Sequence, residues 1–251
     1  MSLTYLLLPE FSCLPHLNTL DLSYNYLSGS PPSLANLKAL QVLHLDHNRF
    51  TKISTSFFQD LPQTLGRFSL SNNPFLASWT IPGELAKFER LTEFNASNAN
   101  VTGKLPNVFG SVPVMKLDIS YNTLTGSLSA TFKTSKIREL PLQYQKVGLS
   151  DPIHVWSSRT FLNLVSLQGN NLTDPIPDLS NSMLLDVLYL DQNQFNGLVP
   201  QSWANISGFS SVISLSKNKL QGPYPIFLRN DFASVSLDGN NFCTNESSFE
   251  L

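Results

Sequence analysis

Leu17-Asn-Thr-Leu20-Asp-Leu22-Ser-Tyr-Asn25-Tyr-Leu27 decides the fold: its spacing is LxxLxLxxNxL. The spacing returns as Leu40, Leu43, Leu45, Asn48 and Phe50, and again as Leu65, Phe68, Leu70, Asn73 and Phe75. Further copies centre on Ala99, Asn122, Gln145, Asn170, Asn193, Asn218 and Asn240. Successive centres lie 22 to 26 residues apart, and ten copies fill the chain from Leu17 onward. A fixed period of this length marks a stacked repeat architecture. Apolar residues two apart, such as Leu20 and Leu22, point the same way from a short strand. Each copy then supplies one strand to a parallel sheet inside a solenoid. Stacked neighbours bury the leucines that a single copy cannot.

Composition agrees. The 251 residues include 42 Leu and 23 Asn, and only 14% are charged, against roughly 25% in an average globular domain. The chain is too apolar for disorder. A net charge of −2 gives no basic field, which argues against general nucleic-acid binding. Two cysteines cannot build a disulfide scaffold or a four-cysteine zinc site. No run reaches the roughly 18 apolar residues of a membrane span.

Several copies continue with a second signature: Leu27-Ser-Gly29-Ser-Pro-Pro32, Val101-Thr-Gly103-Lys-Leu-Pro106, Phe195-Asn-Gly197-Leu-Val-Pro200 and Leu220-Gln-Gly222-Pro-Tyr-Pro225. Glycine permits a turn, and proline fixes an extended start to the outer segment. This LxGxxP form resembles plant-type leucine-rich repeats. The resemblance implies an α/β solenoid of about ten repeats, with a parallel β-sheet on the concave face and irregular or 3-10 segments on the convex face. It also implies that the recurring Asn turns inward and serves backbone groups of the loop leaving the strand, since its side chain both donates and accepts. The ladder residues are Asn25, Asn48, Asn73, Asn122, Asn170, Asn193, Asn218 and Asn240, with Ala99 and Gln145 in the two remaining places.

The period breaks at the ends. Residues 1–16 read as the outer half of a repeat whose strand and cap are missing, 17–243 as the repeat domain, and 244–251 as the start of an island or capping region. Met1-Ser-Leu-Thr-Tyr-Leu-Leu-Leu makes no convincing signal peptide, because it lacks Lys and Arg and its apolar core is short. A truncated gene model and a genuine short isoform both fit this beginning. Cys13 and Cys243 stand at opposite ends, roughly 45–50 Å apart at about 4.8 Å per strand, and cannot pair within one chain. Cys13 reads as a small buried hydrophobe, and Cys243 as half of a disulfide whose partner lies beyond Leu251.

The irregular points carry a narrower resemblance. Asn72-Asn-Pro-Phe75-Leu-Ala-Ser-Trp79-Thr-Ile-Pro82 resembles the NNPF-x-SW-x-IP segment of the transmembrane kinase (TMK) subfamily of plant leucine-rich-repeat receptor-like kinases, with one residue more between Phe75 and Ser78. Phe94-Asn-Ala-Ser-Asn-Ala99-Asn-Val-Thr-Gly103 is similar to its SANSANVSG segment, missing ladder Asn included. Gln143-Tyr-Gln145-Lys resembles its NGQK stretch. Leu220-Gln-Gly-Pro-Tyr-Pro-Ile-Phe227 and Asn241-Phe-Cys243 resemble the LQGPVPxF and NxFC segments that close its first repeat block. The resemblance implies an extracellular recognition segment of a receptor Ser/Thr kinase, on the outer side of the plasma membrane. The membrane span and the kinase would lie outside this chain. It implies a role in auxin signalling, with a protein or peptide ligand, an auxin-binding protein being the co-receptor partner. A secreted binding protein, such as a polygalacturonase inhibitor or a soluble decoy, is the alternative.

Five N-x-[ST] sequons, at Asn95, Asn100, Asn171, Asn205 and Asn245, fit a secreted chain. Asn205 is expected on the outer side and Asn95 on the strand face. Exposed inner positions lie between the leucines and just before the ladder residue. There Tyr121, Tyr144 and Tyr189 are candidate aromatic anchors for a partner, and Asp118 and Asp191 would favour basic groups. No catalytic residue, cofactor or metal is called for. His44, Asp46 and His47 surround one strand end without a further ligand cluster, and zinc wants three or four ligands. His154 and Trp156 read as packing or surface. No phosphate loop, GxSxG elbow or HExxH occurs.

Overall fold

A computed structural model describes residues 14–54, 56–128, 130–150, 153, 161–182, 184–205, 212–229 and 234–243. The expectations for Cys13, Asn245, His154, Trp156 and residues 244–251 lie outside them. Among the described residues, one three-residue strand per repeat joins a ten-stranded parallel sheet in sequence order. The strands are β1 (Thr19–Asp21), β2 (Val42–His44), β3 (Arg67–Ser69), β4 (Glu93–Asn95), β5 (Lys116–Asp118), β6 (Glu139–Pro141), β7 (Leu164–Ser166), β8 (Val187–Tyr189), β9 (Val212–Ser214) and β10 (Ser234–Ser236). The register is one strand per period: Leu20 faces Leu43, Leu43 faces Phe68, and Phe68 faces Phe94. The middle residue of each strand points into the core, as the two-residue alternation requires.

Outer segments are short. A one-turn α-helix spans Phe57–Asp60, and 3-10 turns cover Gly83–Lys87, Asn107–Gly110 and Ala130–Thr134. Pro82 and Pro106 stand extended immediately before two of them, at φ −81° and −74°, as the fixed proline φ dictates. Between the two faces, leucines and a run of phenylalanines fill the interior. Phe58, Phe68, Phe94, Phe109 and Phe132 follow one another at ring separations of 5.3 to 6.4 Å. At the LxG stretch, short lateral strands pair in parallel: Thr102–Lys104 with Thr123–Gly126, and Asn196–Gly197 with Lys219–Pro223.

The ladder amides stitch neighbouring repeats. Asn48 Nδ2 donates to Leu45 O of its own strand exit and to Leu22 O of the preceding repeat, while its Oδ1 accepts from Leu27 N at 3.0 Å. Asn122 does the same for Ile119 O and Ala96 O, and its Oδ1 accepts from both Ala99 N and Val101 N. Asn193 and Asn218 repeat the pattern. Gln145, one methylene longer, also repeats it: Nε2 donates to Ile119 O and Leu142 O, and Oε1 accepts from Leu124 N.

Alanine at 99 has no side-chain amide, and the insertion before it supplies other links. Trp79 Nε1 donates to Ala99 O at 2.7 Å, and Asn100 Nδ2 donates to Leu76 O at 2.8 Å. Trp79 stacks on Phe58 at 5.7 Å and bridges to Val101, so the insertion occupies the place of a lateral strand. We expect Trp79→Ala to destabilise the chain by about 3–5 kcal/mol in urea unfolding. Trp79→Phe keeps a ring but leaves the Ala99 carbonyl unpaired, and should cost about 1–3 kcal/mol. Equal losses in the two variants would show that the indole hydrogen bond carries everything and the ring packing nothing.

Candidate functional site

Three surfaces frame the inner face. The first is the N-terminal concavity, about 420 Å³, lined by Asp21, His44, Asp46, Arg67, Ser69 and Glu93 among others. Its central carboxylate is already engaged. Asp46 Oδ1 accepts from Ser71 N at 2.7 Å, from Ser71 Oγ at 2.6 Å and from Ser69 Oγ. His47 lies past the strand end, stacked on Tyr24 at 4.1 Å, with its Nε2 against Asn72 Nδ2 at 3.1 Å. Among the described residues, no three His, Cys, Asp or Glu side chains are grouped to hold a metal. Asp21 accepts the Ser23 N–H, which lowers its carboxyl below the ordinary range.

The second surface is a row that the sequence reading missed, the first residues of successive strands. Arg67 stands opposite Glu93, Glu93 opposite Lys116, and Lys116 opposite Glu139. Opposite charges on adjacent strands attract, and Lys116 Nζ reaches Glu139 Oε1 at 3.2 Å. Exposed pairs of this kind are worth about 0–1 kcal/mol, so they give the face its chemistry rather than its stability. Beyond β6 the same row turns apolar, with half-buried Leu164, Val187 and Val212 in consecutive register. The signal is present in the sequence as charge alternating at the repeat period, two residues before the position between the leucines.

The third surface follows the strands. The residue before each ladder position lies in the left-handed region in all ten copies. Tyr24, His47, Asn72, Asn98, Tyr121, Tyr144, Gln192 and Lys217 have φ of 49–57°, and Gly169 and Gly239 have 66° and 70°. This corrects the placement of Tyr121 and Tyr144: they sit in the turns leaving β5 and β6, not on the sheet. Their rings stack at 5.2 Å and 27°. Gly169 lets the second ring settle, since a Cβ there would lie 2.3 Å from Tyr144 Cδ1. With Pro74, Asn98, Asn100, Thr123 and Lys146 the two tyrosines line a lateral concavity of about 400 Å³.

The five candidate partner residues are therefore not one cluster. Asp118 ends β5, and Tyr189 ends β8, three strands on and roughly 14 Å away. Asp191 lies two residues after Tyr189 and accepts from Gln192 Nε2 at 3.3 Å. Asp118 Oδ1 accepts from Ser120 N at 3.0 Å and Ser120 Oγ at 2.6 Å, yet burial outweighs these bonds and raises its carboxyl. Of the sequons, Asn95 ends β4 on the sheet face, with its Oδ1 accepting from Ser97 N. Asn100 is half-buried beside Tyr121, and Asn171 is exposed. Asn205 ends the outer 3-10 segment Gln201–Asn205. Cys243 is exposed at the end of the lateral strand Asn241–Cys243.

Comparison with known proteins gives a consistent picture. A leucine-rich-repeat family model matches residues 10–50. The receptor-like kinase TMK2 of Arabidopsis thaliana is 37% identical over 77% of this chain, which spans 22% of that protein. The receptor-like kinase TMK4 of the same plant is 38% identical over 98% of this chain, which spans 26% of that protein. This chain thus spans about a quarter of the length of these relatives. The crystal structure of the Arabidopsis receptor kinase HAESA with the peptide hormone IDA and the co-receptor SERK1 superposes with a TM-score of 0.75 at 26% identity, over 96% of this chain and 44% of that one.

The raised carboxyl of Asp118 makes a pH prediction. As pH climbs from the unfolded value near 3.8, the unfolded chain releases this proton before the folded chain does. Stability contributed by Asp118 therefore falls as pH rises through the folded value, and stays lower above it. Asp118→Asn keeps an acceptor oxygen for Ser120 and cannot ionise. Urea titrations should show the variant gaining on the wild type as pH goes from 3 to 7. A difference independent of pH would contradict the burial effect.

Proposed function

This chain belongs to the leucine-rich-repeat family, as a repeat block of the TMK receptor-like-kinase type, and on that premise we propose that its concave face binds an extracellular protein or peptide for a longer receptor. The observation that carries the proposal is the change of character along the first row of the sheet. Ion-pairing groups occupy β3 to β6, and then Leu164, Val187 and Val212 follow on β7 to β9 beside Tyr189. A sheet face that only meets water has no need of three adjacent apolar side chains. A ligand lying across the strands meets charged groups with one half and an apolar strip with the other. Such a strip with an aromatic neighbour is the kind of place where binding energy concentrates. The HAESA structure, solved with a peptide hormone and a co-receptor, supports reading this chain as a segment that binds such a ligand.

The partner we favour is an auxin-binding protein acting as co-receptor, as the TMK resemblance implies, with the chain on the outer side of the plasma membrane. Sequons at Asn95, Asn100, Asn171, Asn205 and Asn245 support that compartment. Among the described residues, no helix is long and apolar enough to cross a membrane. Anchoring and kinase activity are assigned to the parent receptor, and every described element of this chain serves the solenoid.

The test uses the full chain, secreted and purified, with an auxin-binding protein and auxin as the probe. Binding is expected, and Val187→Asp should weaken it about tenfold or more, since a charge then faces the apolar half of the ligand (about 1.4 kcal/mol per tenfold). Lys116→Glu should slow association more than it speeds dissociation. Binding that ignores both substitutions would overturn the concave-face reading. No binding by the folded chain would overturn the choice of partner.

A further inference from the structure

The lateral concavity beside Tyr121 and Tyr144 adjoins a sequon at Asn100. We propose that it seats the first sugar of an N-linked glycan carried by Asn100, and that the tyrosine pair serves this glycan rather than a protein partner. The inference rests on the extracellular reading above, because only a chain passing through the secretory route meets the transferring enzyme.

Asn100-Val101-Thr102 is a sequon, and Asn100 itself lines the concavity together with Tyr121, Tyr144 and Lys146. The geometry leaves one aromatic face open. Tyr144 covers the backbone at Gly169 on one side and stacks on Tyr121 on the other. The outer face of Tyr121 is therefore turned back toward the Asn98–Asn100 repeat, and the residue is 55% exposed. A pyranose has an apolar face of C–H groups and a polar rim of hydroxyls. A tyrosine ring offers the matching flat apolar face. Thr123 and Lys146 lie in the same concavity, where polar groups meet the rim. The volume of about 400 Å³ falls within the ~300–1,000 Å³ of small-molecule sites.

The attachment balances. Asn100 Nδ2 carries two hydrogens and donates at 2.8 Å to Leu76 O. Transfer from a lipid-diphosphate-linked oligosaccharide replaces one hydrogen, which leaves as a proton. The Nδ2–C1 bond forms, and the bond between C1 and the diphosphate oxygen breaks to release the lipid diphosphate. The second hydrogen remains for the protein. Asn171 provides the internal contrast. It follows its ladder residue as Asn100 follows position 99, but it is exposed, and the next repeat places Gln192 where Tyr121 stands after Asn100.

The experiment expresses the full chain in plant cells held at high-mannose glycans. Glycopeptide mass spectrometry reads occupancy, and endoglycosidase release from the native protein is timed at each site. Asn100 should be occupied and should release about fivefold more slowly than Asn171, in keeping with stacking on an aromatic face. Tyr121→Ala should bring Asn100 to the Asn171 rate, and Tyr121→Phe, which keeps the ring, should preserve the protection. A thermal melt close to that of the wild type establishes that each variant is folded. Asn100 vacant with Asn171 occupied overturns this inference and spares the extracellular reading. All five sequons vacant overturns the two together. Equal release rates, or protection that survives Tyr121→Ala, also overturns it.

Discussion

The structure depends on one side-chain amide in each repeat but the one at Ala99, where Trp79 and Asn100 supply other links. A strand of three residues ends, the chain must turn outward, and several backbone groups at that corner are sealed from water. Leaving such groups unpaired costs about 1–3 kcal/mol each. The ladder residue meets the need at one stroke. Its NH2 group clamps carbonyls of its own strand exit and of the repeat before, and its carbonyl receives an N–H of that earlier repeat. Cohesion between repeats is thus built from bonds that each turn requires for itself.

The turn that carries the clamp shapes the surfaces. The residue before each ladder position stands in the left-handed region, Asn98 before Ala99 included, where an L side chain costs roughly 1–2 kcal/mol. Eight of the ten copies accept that strain with a side chain present. Those side chains then stand in line along the edge of the sheet, and neighbours interact: Tyr24 with His47, Asn72 with Asn98, Tyr121 with Tyr144. The edge and the sheet face are consequently two different surfaces, one aromatic and amide-rich, the other charged and then apolar. Assigning the first to a glycan and the second to a ligand follows from that division.

Much of the fold was legible, because the period of the leucines and of Asn25 or Asn48 is set by geometry that every copy must meet. The parallel sheet, the ten copies and the proline-started outer segments all come from local spacing. Gln145 was also legible as a ladder position, although its identical bonding emerges only in three dimensions. The site was harder to read. The leucine spacing puts Tyr121 and Tyr144 on the sheet, and nothing in that spacing reveals a left-handed turn. Asp118 reads as an exposed charge, because nothing in the leucine spacing reveals the burial that raises its carboxyl. The first row is hidden in the sequence, because Arg67, Glu93, Lys116 and Glu139 make sense only once the register aligns them.

The ladder claim is tested most directly by residue-resolved hydrogen exchange on the full chain, comparing wild type with Asn122→Ala. Ala99 and Val101 both donate their amide hydrogens to Asn122 Oδ1. The account predicts that exchange at these two amides accelerates about tenfold or more, while amides bonded to Asn193 and Asn218 change far less. Unchanged exchange at Ala99 and Val101 would contradict it.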